Sequence, residues 1–221
     1  MKKYLPVLNK CKLFVGINSA DLQALLGCLS AVQKNVEKNS FIFMEAEKVL
    51  SVGVVLSGSI NIIREDFMGN RTILAHIGTG GLFGEAFSCA GVEKLPVSVI
   101  SAEKSEILLL NCKKIITSCS SACSFHAVLI KNLVQILAQH NIMLTQKIEY
   151  LTRRNTREKL LAYLSAQAKQ VNSHSFQIPF NRQELAEYLA VDRSAMSNEL
   201  CKMRAEGIVN FRRNCFELLT V

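Results

Sequence analysis

Apolar residues recur with a helical period in two short stretches near the C-terminal end of the chain. In residues 181–189, Asn181 is a suitable N-cap and Glu184 completes a capping box. After Asp192, which can cap a second helix, apolar residues recur at positions i, i+4 and i+7. The two apolar stripes are Leu185, Ala186 and Leu189, then Met196, Leu200 and Met203. Residues 190–192 leave room only for a turn, so the pattern predicts a helix-turn-helix.

The second of these helices carries a polar face opposite its apolar stripe. An arginine can bond two acceptors of guanine, an asparagine can pair with adenine, and lysine or serine can contact phosphates or bases. We therefore predict that this face enters the major groove of DNA. The predicted contacts are Arg193, Ser194, Ser197, Asn198 and Lys202, with Arg182 at the start of the first helix. The alternative is a helical hairpin whose polar face is merely solvated.

The segments around this motif predict a winged domain over residues 152–221. A helix begins after Arg153, Arg154 and Asn155, which form a predicted hinge, with Thr156 as its N-cap. Residues 176–180 form a predicted short strand. Gly207 ends the second helix of the motif, and residues 208–211 and 216–219 then form a hairpin. Arg212 and Arg213 at its tip are placed to contact phosphates.

A longer helical pattern over residues 120–152 has a heptad repeat. Its apolar seam keeps the 3-4 spacing of a coiled coil over three heptads and predicts a parallel homodimer. The predicted interface consists of Ile130, Val134, Leu137, Asn141, Leu144, Ile148 and Leu151. Asn141 then occupies an a position, where a polar residue favours one register. The alternative is a long helix that packs only on its own chain.

Before residue 111 the pattern changes to short β-rich runs separated by glycine-containing turns. The runs are residues 41–43, 52–56, 60–63, 72–77, 97–100 and 107–110. Many short strands with such turns predict a β jelly roll. An amphipathic helix with Leu22, Leu25, Leu26 and Leu29 precedes it. The predicted fold is therefore α+β, with a jelly-roll domain and dimerisation helix in residues 1–151 and a winged helix-turn-helix in residues 152–221.

Composition narrows the possible functions. The net charge is +8, and residues 152–221 hold 11 Lys/Arg against 7 Asp/Glu, whereas residues 1–151 hold 15 against 11, the same excess over twice the length. The basic excess is therefore denser around the predicted DNA-binding motif. No apolar run reaches membrane-spanning length and no signal peptide is evident, so we expect a cytoplasmic protein without a membrane partner.

No catalytic or metal-binding pattern stands out. His76 is alone in the β segment, which excludes a multi-histidine metal centre there, and we expect no enzyme activity. Cys112, Cys119 and Cys123, followed by His126, match no established ligand spacing. We therefore predict no metal and no certain cofactor, and a redox role of these cysteines stays open.

Three stretches resemble the CRP/FNR family of bacterial transcription regulators, named for the cyclic-AMP receptor protein and the fumarate–nitrate reductase regulator. They are residues 82–85 (LFGE), 156–161 (TREKLL) and 181–207. The resemblance covers nearly the whole chain. It implies a homodimer that binds double-stranded DNA at a near-palindromic operator, contacts RNA polymerase, and responds to a small-molecule or redox effector in a cyclic-nucleotide-binding-like β domain.

The chain departs from the family pattern in the implied effector pocket, which comprises Gly84, Glu85, Leu95 and Pro96. Members that bind cyclic nucleotides have Arg-Ser about ten residues after Gly-Glu, whereas this chain has Leu95-Pro96, with Lys94 as a poor substitute. A buried cyclic phosphate then lacks its bidentate counter-charge. We predict that the effector is not cyclic AMP.

Two further departures concern cysteines and base contacts. Cys11 and Cys28 do not form the N-terminal cluster of oxygen-sensing members. Ser194 and Asn198 replace Glu and Arg at base-contacting positions, which predicts a different operator. A second hypothesis for the whole chain is a small-molecule or cyclic-nucleotide binding module that acts through protein contacts.

Overall fold

The computed structural model describes residues 2–117 and 124–219. Their contacts group into two compact units. The first contains the residues up to Gly69 together with Leu74–Asn141, and the second contains Asn70–Ile73 and the chain from Ile142 onward. Each unit has buried apolar residues of its own.

Two four-stranded sheets form the β domain. Their strands are β1 (Val32–Val36), β2 (Phe41–Phe43), β3 (Ser51–Ser57), β4 (Ser59–Glu65), β5 (Arg71–Gly78), β6 (Leu82–Phe83), β7 (Ser98–Ser101) and β8 (Ser105–Asn111). The strand orders are β1-β8-β3-β6 and β2-β7-β4-β5. Pairing is antiparallel, for example Val52 opposite Leu110 and Ile62 opposite Val99. The architecture confirms the predicted jelly roll.

Strand β3 is buried on both faces, which explains its nearly continuous apolar sequence. One face, with Val52 and Val54, packs in a cluster with the N-terminal helices α1 (Leu5–Lys10) and α2 (Ser19–Cys28). Val55 belongs to another cluster, which includes residues of both sheets. Because a Cβ atom at Gly53 would lie 2.1 Å from the Phe83 ring, only glycine allows β3 and β6 to approach so closely.

The predicted strands are present within one or two residues at most ends, but four short elements were not predicted. Strand β1 has an almost fully exposed, polar sequence (VQKNV), and it is identified by its pairing with β8 rather than by apolar alternation. Strand β6 has two residues. Helices α3 (Glu85–Ala90) and α4 (Cys112–Ile116) are too short to show a helical period.

The long helix α5 runs from Ser124 to Leu151 and has two different faces. Leu129, Leu133 and Ile136 are buried in the core of the first unit. On the same side, the buried Asn132 amide donates hydrogen bonds to the Leu13 carbonyl at 2.9 Å and the Val15 carbonyl at 2.8 Å. These contacts attach the N-terminal half of α5 to its own β domain.

Three helices and a three-stranded sheet form the winged helix-turn-helix of the second unit. They are α6 (Thr156–Val171), β9 (Ser175–Gln177), α7 (Arg182–Leu189), α8 (Arg193–Ala205), β10 (Val209–Arg212) and β11 (Cys215–Leu218), with sheet order β10-β11-β9. Two local predictions were wrong. The N-cap of α6 is Asn155, whose side chain accepts from the Glu158 N–H at 2.9 Å, and not Thr156. Strand β9 ends at Gln177 rather than at Phe180.

Candidate nucleic-acid interface

Helix α8 presents polar residues on one face because its apolar residues are buried on the other. Met196, Leu200 and Met203 are fully buried. On the opposite face, Arg193, Ser194, Asn198 and Lys202 are exposed and Ser197 is partly exposed. The helix therefore brings together all five of its predicted contact residues on an accessible surface.

The N-terminal end of α8 is held by Asp192. Its carboxylate accepts a hydrogen bond from the Ala195 N–H at 2.8 Å. This bond, together with weaker bonds to Ser194 and Arg193, lowers the pKa of Asp192. The cap therefore stays ionised at neutral pH and fixes the direction in which Arg193 leaves the turn.

Helix α7 fixes the other side of the turn. Asn181 and Glu184 form the predicted capping box, with the Asn181 N–H donating to the Glu184 carboxylate at 2.8 Å. Ala190 ends the helix in a left-handed conformation, at φ 49°. The Lys159 ammonium group of α6 lies 3.4 Å from the carbonyl oxygens of both Leu189 and Ala190. These contacts stabilise the tight turn between α7 and α8.

An arginine that the sequence did not single out joins α6 to the recognition helix. The Arg157 guanidinium forms a bidentate ion pair with Glu206, one bond of which measures 3.0 Å, and approaches Glu199 at 3.4 Å. This arginine lowers the pKa of Glu206. Because Arg157 and Glu206 are 49 positions apart, no local sequence pattern could indicate the pairing.

A cleft lies between the N-terminal end of α6 and the polar face of α8. It is lined by Asn155, Thr156, Arg157, Ala195, Asn198, Glu199 and Lys202. Two predicted DNA contacts, Asn198 and Lys202, therefore share this concave surface with the polar residues of the hinge.

The wing carries the two predicted arginines at its exposed end. Arg212 is the last residue of β10 and pairs with Cys215, so the turn itself consists of Arg213 and Asn214, a shorter turn than the predicted one. Arg213 has a φ of 55°, which a tight turn between paired strands requires. Both arginine side chains are exposed.

Arg182 occupies a different environment from the other predicted DNA contacts. Its guanidinium lies 4.7 Å from the ring centre of Phe211 and 4.9 Å from that of Phe216, and its partial burial lowers its pKa. Arg204 also stacks on Phe211, at 4.8 Å. Arg182 therefore joins the start of α7 to the wing, a packing role that the sequence did not reveal.

The second unit also contains a buried lysine. Lys147 donates a hydrogen bond to the Ile73 carbonyl and lies 3.9 Å from the ring centre of Tyr188. Burial lowers the pKa of Lys147 to about 8. Nothing in the sequence of α5 distinguishes Lys147 from an exposed lysine, so its burial was not predicted.

In the first unit, the implied effector pocket is mainly apolar. Gly84 precedes α3 with φ 77°, and a Cβ atom there would lie 3.2 Å from the Phe43 ring. Leu95 is buried in the same cluster as Phe43, whereas Pro96 is exposed. No guanidinium stands at the position of Leu95 to neutralise a buried phosphate.

Glu85 is 5% exposed and forms its main contact with α5. One of its carboxylate oxygens lies 2.9 Å from Nδ1 of His140, and the other has no hydrogen-bond partner within the described residues. The pairing with His140 was not predicted, because the two residues are 55 positions apart.

The seam of α5 is accessible in a single chain. Val134, Leu144 and Ile148 are 59%, 53% and 60% exposed. Asn141 is also exposed, and Ile130, Leu137 and Leu151 are partly exposed. Of the predicted interface residues, Val134, Asn141, Leu144 and Ile148 are therefore open to solvent, whereas Leu137 also packs against the core of the first unit.

The cysteine prediction is only partly covered by the structure. Cys112 is buried, whereas Cys119 and Cys123 lie outside the described residues. His126 is buried and its Nε2 lies 3.1 Å from the Lys114 carbonyl oxygen. Over residues 2–117 and 124–219, no group of three or more side chains is arranged to hold a metal ion.

Two family models match the chain. A cyclic nucleotide-binding domain matches residues 33–121, and a Crp-like helix-turn-helix domain matches residues 158–221. No curated protein sequence matches it. Among the helices that the structure describes, none has the length and apolar character needed to cross a membrane.

Solved structures with a similar fold include three bacterial proteins. The c-di-GMP responsive global regulator CLP of Xanthomonas campestris has a TM-score of 0.74 and 18% identity, covering 92% of this chain and 100% of that chain. A CooA mutant from Carboxydothermus hydrogenoformans has a TM-score of 0.71 and 16% identity, covering 97% and 91%. FixK2 from Bradyrhizobium japonicum has a TM-score of 0.67 and 17% identity, covering 86% and 93%.

The fold and the two matched models define a DNA-binding regulator with a β domain of the cyclic nucleotide-binding type. The chain belongs to the CRP/FNR family of transcription regulators.

Proposed function

We propose that the protein binds a near-palindromic DNA operator as a homodimer, controlled by an effector other than cyclic AMP. The observation that carries this proposal is the exposed polar face of α8, with Arg193 at its capped N-terminal end. Such a face fits the width of the major groove and offers donors and acceptors to base edges. Arg212 and Arg213 on the wing supply phosphate contacts that fix the orientation on the duplex.

The α5 seam supports the homodimer. Its exposed apolar residues follow a heptad spacing, and a second copy of α5 would remove them from water. In the parallel arrangement, Asn141 of the two chains would meet at one a position and set the register. A two-fold dimer carries two copies of α8 and therefore recognises two inverted half-sites.

Selection from a random duplex library with the full-length protein tests the operator. We expect enrichment of two inverted half-sites whose centres are about 10 base pairs apart, or a multiple of that spacing. Enrichment of a single isolated half-site, or no enrichment above a non-specific background, would contradict the proposal.

A matched pair of substitutions on α5 tests the dimer. Leu144→Lys places a charge in the seam, whereas Ile142→Lys changes a residue that is 60% exposed but off the seam. We expect light scattering to show monomers for Leu144→Lys and dimers for Ile142→Lys. Operator affinity should fall only in the first variant, and equal behaviour of the two variants would reject the seam.

The apolar surroundings of Leu95 support an effector other than cyclic AMP, because a buried phosphate without a counter-charge is costly. Contact with RNA polymerase follows from the family and is tested by transcription from the selected operator in a purified system. In this proposal the named residues act by binding, and none has a catalytic role.

A further inference from the structure

Two cysteines of the first unit lie in direct contact. Cys89 is in α3 and Cys112 is the first residue of α4, and their sulfur atoms are 3.3 Å apart. The Cys112 backbone N–H is fixed by a hydrogen bond to the Leu50 carbonyl at 3.0 Å. The two thiols therefore already occupy neighbouring positions, which removes most of the entropic cost of joining them.

The surroundings of the pair differ between its two members. Cys112 is 2% exposed and belongs to the main core cluster of the first unit, whereas Cys89 is partly exposed at the edge of that cluster. Small oxidants can therefore reach the Cys89 sulfur more readily than the Cys112 sulfur.

The contact also changes the acidity of the thiols. A hydrogen bond from the Cys89 S–H lowers the pKa of Cys112 to about 7, against the opposing effect of burial. The same hydrogen bond raises the pKa of Cys89. After the first ionisation the pair holds one proton between its two sulfur atoms, and this shared thiolate is a nucleophile at neutral pH.

We propose that Cys89 and Cys112 form a redox-active thiol pair that peroxide oxidises to an intramolecular disulfide. This inference concerns the sensor domain and does not depend on DNA binding. The disulfide would join α3 to α4. Because α3 also carries Glu85, which contacts His140 on α5, the modification site lies on the same short helix as a contact to the long helix.

The oxidation proceeds in two balanced steps. The negative charge of the ionised pair lies mainly on Cys112, but either sulfur can hold the shared proton. When the proton lies on Cys112, the more exposed Cys89 thiolate attacks one oxygen of hydrogen peroxide. The O–O bond breaks, the sulfur becomes a sulfenic acid, and the other oxygen leaves as water after taking up a proton. The Cys112 sulfur then attacks the Cys89 sulfur, forming the S–S bond and releasing a second water. The two thiols lose two electrons, which reduce one peroxide to two waters.

Peroxide treatment of the reduced, full-length protein tests the pair. After native treatment and alkylation of the remaining thiols, we expect peptide mass mapping to find Cys89 joined to Cys112, and dithiothreitol to reverse the bond. Half-loss of the two thiols should need about tenfold less peroxide than oxidation of the exposed Cys28, because the pair ionises at neutral pH.

Single substitutions separate the two roles. In Cys112→Ser the Cys89 sulfenic acid has no resolving thiol, so dimedone should trap it. In Cys89→Ser no cross-link to Cys112 should form, while Cys28→Ser should retain the Cys89–Cys112 bond. Cys89 is partly exposed, so its variant keeps the test valid if substitution of the buried Cys112 impairs folding.

Three results would overturn the proposal. One is that both thiols stay fully alkylatable after native peroxide treatment. Another is a cross-link from Cys112 to Cys119 or Cys123 in place of Cys89. The third is a metal ion in the purified protein that blocks Cys89 and Cys112 and is lost together with either of them.

Discussion

On α8, polar side chains lie in solvent on one face of a well-packed helix, whereas at the start of α3 a single carboxylate, Glu85, is buried. On the opposite face of α8, Met196, Leu200 and Met203 are buried and hold the helix in place. Residues such as Ser194 and Asn198 can therefore differ from the family pattern without affecting the fold, and in the proposed function such changes would alter base recognition.

Residues in the core of the β domain cannot be exchanged as easily. Leu95 packs among apolar residues, where a charged side chain is costly to bury unless it gains a partner. In the proposed function, a change of ligand at Leu95 would require repacking of the core, whereas a change of operator would require only exchange of exposed side chains on α8.

A cavity in the core beneath α8 should have the largest effect, and that effect should be on the free energy of unfolding. Leu200 is fully buried, and Leu200→Ala should lower the free energy of unfolding by about 2–5 kcal/mol through lost burial and a cavity. Urea denaturation measures the loss. The exposed neighbour Cys201 provides the control, since Cys201→Ala should change stability by about 0.5 kcal/mol or less. Equal losses in both variants would mean that α8 is not packed as described.

Removing the leading side chain of the face should weaken DNA binding without affecting stability. Arg193→Ala should cost about 1–3 kcal/mol at the selected operator and relax selectivity at one base position. Competition with duplexes changed at single base pairs measures both effects. Lys169→Ala removes an exposed positive charge away from α8 and should leave base preference intact. Unchanged affinity of the Arg193 variant would reject its assignment.

In the second unit, Lys147 is a buried basic group, as Glu85 is a buried acidic group in the first. Its pKa is about 8 in the folded protein, against 10.5 for an ordinary exposed lysine side chain. Because the unfolded chain binds more protons between these values, this group makes stability rise with pH and fall as pH drops towards 8. The stability of wild type relative to Lys147→Met should increase by about 2 kcal/mol between about pH 7.5 and 10.

Urea denaturation at several pH values measures this difference. Lys131→Met, which changes an exposed lysine of α5, provides the matched control. A pH-independent stability difference between wild type and Lys147→Met would show that the Lys147 amine is protonated equally in the folded and unfolded states.

The wing should contribute less and without sequence preference. Arg212→Ala removes one predicted phosphate contact, so it should lower affinity for all duplexes alike, by about 1 kcal/mol or less. It should also reduce the slope of log K against log salt by about 0.9. Titrations at several salt concentrations with operator and unrelated duplexes measure both quantities. A loss confined to one sequence would instead indicate a base contact.

The features that could be predicted from the sequence are those determined by residues close together in the chain. Asn181 with Glu184, and Asp192 with Ala195, are local caps, and the apolar period of α8 directly indicates its buried side. The choice between Asn155 and Thr156 as N-cap of α6 was wrong because both residue types cap helices well and they are adjacent.

The parts that were missed depend on residues far apart in the chain. Strand β1 lacks an apolar face and exists because it pairs with β8. The contacts of Arg157 with Glu206, Glu85 with His140 and Cys89 with Cys112 join residues 23 to 55 positions apart. In the implied effector pocket, the sequence shows leucine in place of the family's arginine, but only the structure shows that Leu95 is part of a packed core.

Cyclic AMP should have the smallest effect of all, because Leu95 packs among apolar residues at the position where nucleotide-binding members of the family have an arginine to pair with the phosphate. A ligand that binds the folded state raises the unfolding temperature in proportion to its occupancy, so cyclic AMP should produce no shift, whereas the selected operator duplex should raise it. A rise of several degrees with cyclic AMP would contradict the prediction. The exposed Lys94 would then be the nearest cation in sequence, and Lys94→Ala should abolish the shift. If the shift persisted in that variant, the phosphate would have to lie elsewhere than beside Leu95 and Pro96.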